Sequence, residues 1–293
     1  MPTTHCASLP NRGVIRVSGA DAATLLDGLL TNALARLDTE GALHTGLLSP
    51  QGKILFDFFL IPTADGFLID IDREMADDLI KRLSFYRLRA DVTFENVSGR
   101  FVVAALWPAL ETMPGGIIAY ADPRHPSGLG CRLILPPERL AELPAAPVDA
   151  ATYHSHRIAL GIPEAGLDYS LADTFPHEAL YDQTGSIDFK KGCFIGQEVV
   201  SRMQHRGTAR KRAMRVNADQ PITPGSIITA GEATIGAIGS TSANAAIAMI
   251  RLDRAGEAQA KGISLEAAGT TLTIDPPDWI KFDVATGKPA AAP

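Results

Sequence analysis

The tightest constraint on the fold is the way short apolar runs are separated by tight turns. Ile54–Ile61 is apolar apart from Asp57, and Phe67–Ile71 follows directly after Asp65-Gly66. Two such runs joined through so short a polar stretch read as an antiparallel hairpin, because a parallel return needs a crossover of a dozen or more residues. The same texture recurs near the C-terminus. Residues 213–275 are rich in Gly, Thr, Ala and Ile, with turns at Pro221–Gly225, Ala230–Glu232 and Ala268–Thr270. Strands of about four to six residues between regular turns predict a small antiparallel β-barrel. Earlier in the chain, Ala22–Leu30, Arg73–Phe85 and Tyr153–Ile162 read as helices, the first with Asp21 as its N-cap. Val14–Val17, Val92–Glu95, Phe101–Trp107, Ile117–Ala121 and Arg132–Leu135 read as further strands. Helices and strands mix, but the short turns favour α+β with antiparallel sheets over a doubly wound parallel sheet.

A chain of 293 residues can bury a large core and form two or three domains. Its net charge of −6 argues against a globally basic nucleic-acid binder. Three cysteines, Cys6, Cys131 and Cys193, without CxxC spacing argue against a disulfide framework and against a cysteine-built metal site within one chain. No metal site is expected. No run approaches the roughly 18 apolar residues of a membrane span. The N-terminal stretch has no apolar region of the signal-peptide type. The expectation is therefore a reducing compartment, the cytoplasm, with no membrane and no direct DNA binding.

Residues 187–212, IDFKKGCFIGQEVVSRMQHRGTARKR, depart from generic core and loop. Ser186–Phe189 is β-like, and Gln197–Met203 reads as a short helix with Glu198 early and Arg202 late, as the helix dipole favours. Cys193 thus sits in a strand-to-helix turn between Gly192 and Gly196, beside Lys190 and Lys191. Nearby cations and helix N-terminal N–H groups both stabilise a thiolate. A lone cysteine in an apolar stretch is, against that, commonly a small buried hydrophobe. Eight bases fall between Lys190 and Arg215, opposed only by Glu198 and, just upstream, Asp188. Such a cluster is either a solvated face or a site for an anionic ligand. An RNA surface is a weaker reading, because aromatics for base stacking are not interleaved.

Lys191-Gly192-Cys193-Phe194-Ile195-Gly196-Gln197-Glu198 resembles the K-G-C-[YF]-x-G-Q-E signature of the YgfZ family. That family includes mitochondrial iron–sulfur assembly factors and is related to the folate-binding T-protein, the aminomethyltransferase of the glycine cleavage system. The likeness extends to Arg12, Ile15, Val17, Gly19, Asp21, Ala22 and Thr31-Asn32. It continues through Arg157, Gly161-Ile162-Pro163, Pro176 and Glu178, and into the C-terminal run Ala246–Arg251. The resemblance implies a T-protein-like α+β fold with two antiparallel-sheet α+β subdomains plus a small C-terminal antiparallel β-barrel. The expected division is residues 1–205, a folate-binding region of two interleaved subdomains; 206–282, the barrel; and 283–293, a flexible tail.

The resemblance also implies roles. Glu178 would grip the pterin of a tetrahydrofolate, and Arg202 or Arg206 would pair with the glutamyl tail. Asp57 would lie near the reduced ring, and Cys193, activated by Lys191, would do redox, thiol or transient cluster chemistry. Gly192, Phe194, Gly196, Gln197 and Glu198 complete the motif. The implied function is that of a folate-binding accessory protein for iron–sulfur cluster assembly or repair, indirectly supporting tRNA modification. Its partners would be iron–sulfur client or scaffold proteins. The alternative is an aminomethyltransferase or another tetrahydrofolate-dependent one-carbon transferase. Phe56-Asp57 stands where T-proteins carry two adjacent acids, which counts against that alternative. An acid inside an apolar strand needs a partner, and Arg87, Arg89 or a local turn are the candidates that sequence offers for Asp57.

Overall fold

The computed structural model describes residues 3–110, 112–207 and 209–285. Its elements, in chain order, begin with β1 (His5–Ser8), β2 (Arg12–Ser18), α1 (Ala22–Leu29), α2 (Leu37–Glu40), β3 (Leu43–Leu48), β4 (Ile54–Thr63), β5 (Gly66–Asp72) and α3 (Ala76–Arg87). They continue with β6 (Thr93–Asn96), β7 (Val102–Trp107), β8 (Ile118–Ala121), α4 (Pro126–Leu129), β9 (Cys131–Leu135), β10 (Ala146–Val148), α5 (Ala150–Ala159) and α6 (Gln197–Arg206). The last are β11 (Lys211–Ala218), β12 (Ile227–Ala230), β13 (Ala233–Ser242), β14 (Ala245–Arg251), α7 (Leu252–Ala260), β15 (Leu265–Ala267) and β16 (Thr270–Ile274).

Two compact units result. One holds residues 1–50, 55–153 and 185–195; the other holds 51–54, 154–184 and 196–293. Residues 154–184 and the helix α6 thus group with the barrel strands in the second unit. Most of the tail expected to be flexible, from residue 286 on, lies outside the described residues.

The first unit contains two five-stranded sheets, in the orders β3-β4-β5-β2-β6 and β10-β1-β7-β9-β8. The β4–β5 hairpin forms as the turn chemistry requires, with Phe58 opposite Ile71 and Leu60 opposite Ile69. Gly66 has φ +143°, and a Cβ there would run into the Val17 carbonyl oxygen, so the position needs glycine. Ile15, Leu26, Leu30, Leu47, Phe58, Leu60, Ile69, Leu79 and Leu83 form one apolar core. Asp21 takes the position before α1, but its carboxylate accepts the Asp91 N–H instead of capping the helix.

A buried polar cluster joins the two sheets of this unit. Asp70 on β5 accepts hydrogen bonds from Arg12 Nε at 2.6 Å, Tyr120 Oη at 2.7 Å and Arg132 Nε at 2.8 Å. Arg124 pairs bidentately with Asp122, and both Arg124 and Arg132 donate to Tyr153 Oη. The guanidiniums of Arg12, Arg124 and Arg132 lie 5.6, 4.9 and 4.4 Å from the Phe59 ring centroid. Burial pushes the Asp70 carboxyl upward, but Arg12 and Arg132 outweigh it and hold the pKa below the ordinary value.

The second unit carries a closed barrel in the order β11-β14-β13-β12-β15-β16. Its core includes Met214, Val216, Ile228, Ile235, Ile247 and Ile250. Fully buried Arg157 on α5 donates to Asp168 Oδ2 at 2.7 Å, the Ile162 carbonyl at 3.0 Å and Ser240 Oγ at 2.9 Å, fastening the Gly161-Ile162-Pro163 loop to β13. Helix α7 interrupts the barrel strands with Leu252, Ala255 and Ala258 inward; turn spacing alone gave no sign of it.

Candidate functional site

The approach to the signature is not a strand. Ser186–Phe189 forms bends and turns, and side chains hold it where a ladder would have. Thr31 and Asn32, immediately after α1, supply most of the anchors. Asn32 Nδ2 donates to the carbonyls of His44 and Gly185, and Arg36 also donates to the Gly185 carbonyl. Thr31 Oγ1 donates to the Ser186 carbonyl at 2.8 Å, and the Thr31 carbonyl accepts the Asp188 N–H at 3.0 Å. Thr31, Asn32 and Ser186 are all buried, so the bonds that these three make also satisfy groups that water cannot reach. The Lys190 N–H closes on the Asp188 carboxylate, a turn that works against extension of the chain.

Lys191 completes the mooring. Its Nζ donates to three carbonyls, those of Asp27 at 2.6 Å, Leu30 at 2.8 Å and Asn32 at 2.9 Å. An ammonium has three donors, so none remains for Cys193. Lys191 is thus a latch on the C-terminal end of α1, and any effect it has on Cys193 is that of a nearby cation and not of a hydrogen bond. Burial lowers its pKa, against the raising effect of Asp27. Lys191→Ala should leave three inward carbonyls without their donor and cost about 1–3 kcal/mol, measured by urea unfolding; unchanged stability would contradict the latch.

Beyond Lys191 the segment splits into inward and outward residues. Phe194 is buried, with the Lys191 ammonium 5.7 Å from its ring centroid, and Ile195 packs against the core of the first unit. Cys193 is exposed, whereas Cys6 is buried and Cys131 is half-buried. Burial raises the pKa of both Cys6 and Cys131. Gly196 takes a left-handed conformation, φ +80°, at the start of α6, which accounts for glycine there. Gly192 has open space where a Cβ would stand, so close packing does not require it. Gln197 and Glu198 open α6, with exposed Glu198 pairing with Arg202 at 2.6 Å.

Asp57 is buried on β4, and its partner is neither Arg87 nor Arg89. Its Oδ2 lies 3.2 Å from His44 Nε2, and His44 Nδ1 lies 2.6 Å from Ser186 Oγ. Asp57, His44 and Ser186 thus form a buried chain from β4 through β3 to the moored segment. Ser186 is fully enclosed, so the constellation positions the segment and offers no accessible nucleophile. Sequence reasoning passed over both His44 and Ser186, since a single His and a single Ser, 142 residues apart, carry no spacing signal.

Glu178 belongs to the second unit, as do Arg202 and Arg206. It is partly buried. Its Oε2 accepts the Phe175 N–H at 2.9 Å, and its Oε1 lies 3.7 Å from Lys211 Nζ. The eight bases between Lys190 and Arg215 do not form one face. Arg212 is buried, donates to the His177 carbonyl and to Asp182, and lies over the Phe282 ring at 4.1 Å. Arg215 pairs with Asp275. Lys190, Arg206 and Arg210 remain exposed, together with Arg202 in its pair with Glu198.

Residues 210–282 match the family described as CAF17, C-terminal beta-barrel domain. The chain is 34% identical to a mitochondrial iron–sulfur cluster assembly factor IBA57 homologue of Mycosarcoma maydis over 227 residues, 72% of this chain and 56% of that protein. It is 31% identical to the human mitochondrial iron–sulfur cluster assembly factor IBA57 over 308 residues, covering 94% of this chain and 85% of the human one. The chain belongs to the IBA57 family. It spans somewhat over half the length of the fungal IBA57 homologues. The fold is also that of a crystal structure of glycine cleavage system aminomethyltransferase T from Bartonella henselae, with a TM-score of 0.75, 17% identity, and coverage of 95% of this chain and 86% of that one. The T-protein-like fold and the C-terminal barrel are as the signature implied. The cytoplasmic expectation is corrected by the IBA57 comparison, because the M. maydis, human and mouse relatives are all named as mitochondrial.

Proposed function

We propose that the chain binds a reduced folate and serves the assembly of iron–sulfur clusters on other proteins, with Cys193 as the working thiol. The observation that carries this reading is the contrast between the fixed approach and the exposed cysteine. Residues 185–191 are held by hydrogen bonds through Thr31, Asn32, His44 and Lys191, yet Cys193, two residues on, is exposed. A positioned, accessible thiol suits contact with a partner-held cluster. One thiolate supplies a single ligand, so the remaining ligands would come from scaffold or client proteins. Membership of the IBA57 family supports the assembly role, and the T-protein-like fold supports the folate.

Glu178 fits the pterin end. A backbone N–H fixes one carboxylate oxygen, and lone pairs remain for the adjacent N–H donors of a 2-amino-4-oxo pterin edge. Arg202 and Arg206, exposed on α6, would take the tail carboxylates, where a guanidinium fork fits. A bound tetrahydrofolate would supply one-carbon or redox chemistry. Asp57 is engaged with His44 and takes the part of holding the Ser186 segment. Support for tRNA modification would follow indirectly, through cluster-containing enzymes. The test is rescue: expressed in cells lacking their own family member, the chain should restore the activity of a [4Fe–4S] enzyme. A fully expressed chain that restores none would contradict the assembly role. Aminomethyl transfer, the second reading, requires turnover of a reduced folate with an aminomethyl donor.

A further inference from the structure

The first unit carries a surface that neither the folate nor the cluster reading uses, at the C-terminal end of α3. The helix is anchored by Ala76, Leu79 and Leu83, which are buried in the core. On its opposite side Phe85 is 75% exposed, and Leu88, just past the last turn, is 87% exposed. These are the two most exposed large apolar side chains among the described residues. Leu88 has φ +47° and ψ −104° at the helix C-cap, a conformation strained for a leucine and ordinarily left to glycine. An apolar side chain kept outward in a strained position, on a well-packed helix, is not explained by folding.

The surrounding charge points to a partner. Residues 79–90, between Asp77-Asp78 in the first turn of α3 and Asp91 beyond it, contain Lys81, Arg82, Arg87 and Arg89 and no acid, so the basic charge gathers at the C-terminal end of the helix in a chain of net charge −6. Lys81 pairs with Asp78, and Arg87 donates to the Val92 carbonyl. Arg82 and Arg89 are exposed, with no ion pair among the described residues. We propose that this end of α3 docks on an anionic lipid bilayer, with Phe85 and Leu88 entering the interface and Arg82 and Arg89 taking lipid phosphates. The geometry favours lipid over a protein partner. Side chains this exposed stand clear of the surface, and a lipid interface accepts any convex apolar tip, whereas a protein would need a matching notch. Cations beside the tip add electrostatic attraction to anionic headgroups. The lack of a membrane-spanning helix among the described residues concerns crossing a bilayer and not resting on one.

The test uses the full chain and sedimented vesicles of phosphatidylcholine with about 30% phosphatidylglycerol, compared with phosphatidylcholine alone. Co-sedimentation only with the anionic vesicles, reversed by salt, is expected. Phe85→Ser with Leu88→Ser, and separately Arg82→Gln with Arg89→Gln, should each weaken it about tenfold or more. Both pairs are exposed, so circular dichroism should show folding unchanged. No sedimentation of the wild type, or equal sedimentation of both double variants, would overturn the proposal. So would variants that lose [4Fe–4S] enzyme rescue while the wild type ignores vesicles, because that result would assign the face to a protein partner.

Discussion

Cys193→Ala is expected to abolish rescue of [4Fe–4S] enzyme activity while leaving the fold intact. Cys193 is exposed, and neighbouring bonds through Lys191, Thr31 and Asn32 hold the segment without its side chain. Removing its sulfur should therefore change stability by no more than about 0.5 kcal/mol, as for other surface positions. Cys6→Ala and Cys131→Ala provide the contrast. Cys6 is buried beside Leu106 in the β1–β7 pairing and Cys131 is half-buried on β9, both with raised pKa values. These two should alter stability more than function. Rescue by Cys193→Ala at the wild-type level would remove the thiol from the mechanism and leave the signature with a purely architectural meaning.

Asp70→Asn is expected to cost about 3–5 kcal/mol, the typical result of removing one partner from a buried ionic network. Asp70 is fully buried between Arg12 and Arg132, with Tyr120 on its second oxygen. The substitution leaves two buried guanidiniums facing a neutral amide. The pH dependence has a defined sign. The folded-state pKa of Asp70 lies below its ordinary value, so its stabilisation is fully present above the unfolded carboxyl's pKa, about 3.9. It is lost as pH falls through the lower folded value. Urea unfolding at neutral pH should show the large loss, and Asp70→Asn should lack this part of the acid sensitivity below about pH 4. A loss under about 1 kcal/mol would mean that the three cations resting on Phe59 hold the two sheets together without the carboxylate.

The antiparallel architecture was legible because it is written locally. Asp65-Gly66 between Ile54–Ile61 and Phe67–Ile71 permits little besides a hairpin, and the turns after residue 213 permit little besides a small barrel. What was not legible depends on contacts distant in sequence. Asp57 finds His44 across the neighbouring strand, and Lys191 finds three carbonyls about 160 residues earlier. Nothing at positions 190–191 distinguishes the lysine that reaches solvent from the one turned inward. For the same reason a run of eight bases looked like one anionic-ligand face, although Lys191 and Arg212 are bound inside. The Ser186–Phe189 run carries the strand formers Ile187 and Phe189 but joins no strand pairing among the described residues, and side-chain bonds to Thr31 and His44 hold it instead.

The measurement that bears most directly on the proposed function is calorimetric titration of tetrahydrofolate into the wild-type chain and into Glu178→Ala. The reading predicts saturable binding to the wild type, weakened by about 1–3 kcal/mol in the variant through loss of a charged hydrogen-bond partner. Wild-type binding with an unchanged dissociation constant in Glu178→Ala would move the pterin away from Glu178. No heat and no binding to the wild type would contradict the folate itself, leaving Cys193 to act through protein partners alone.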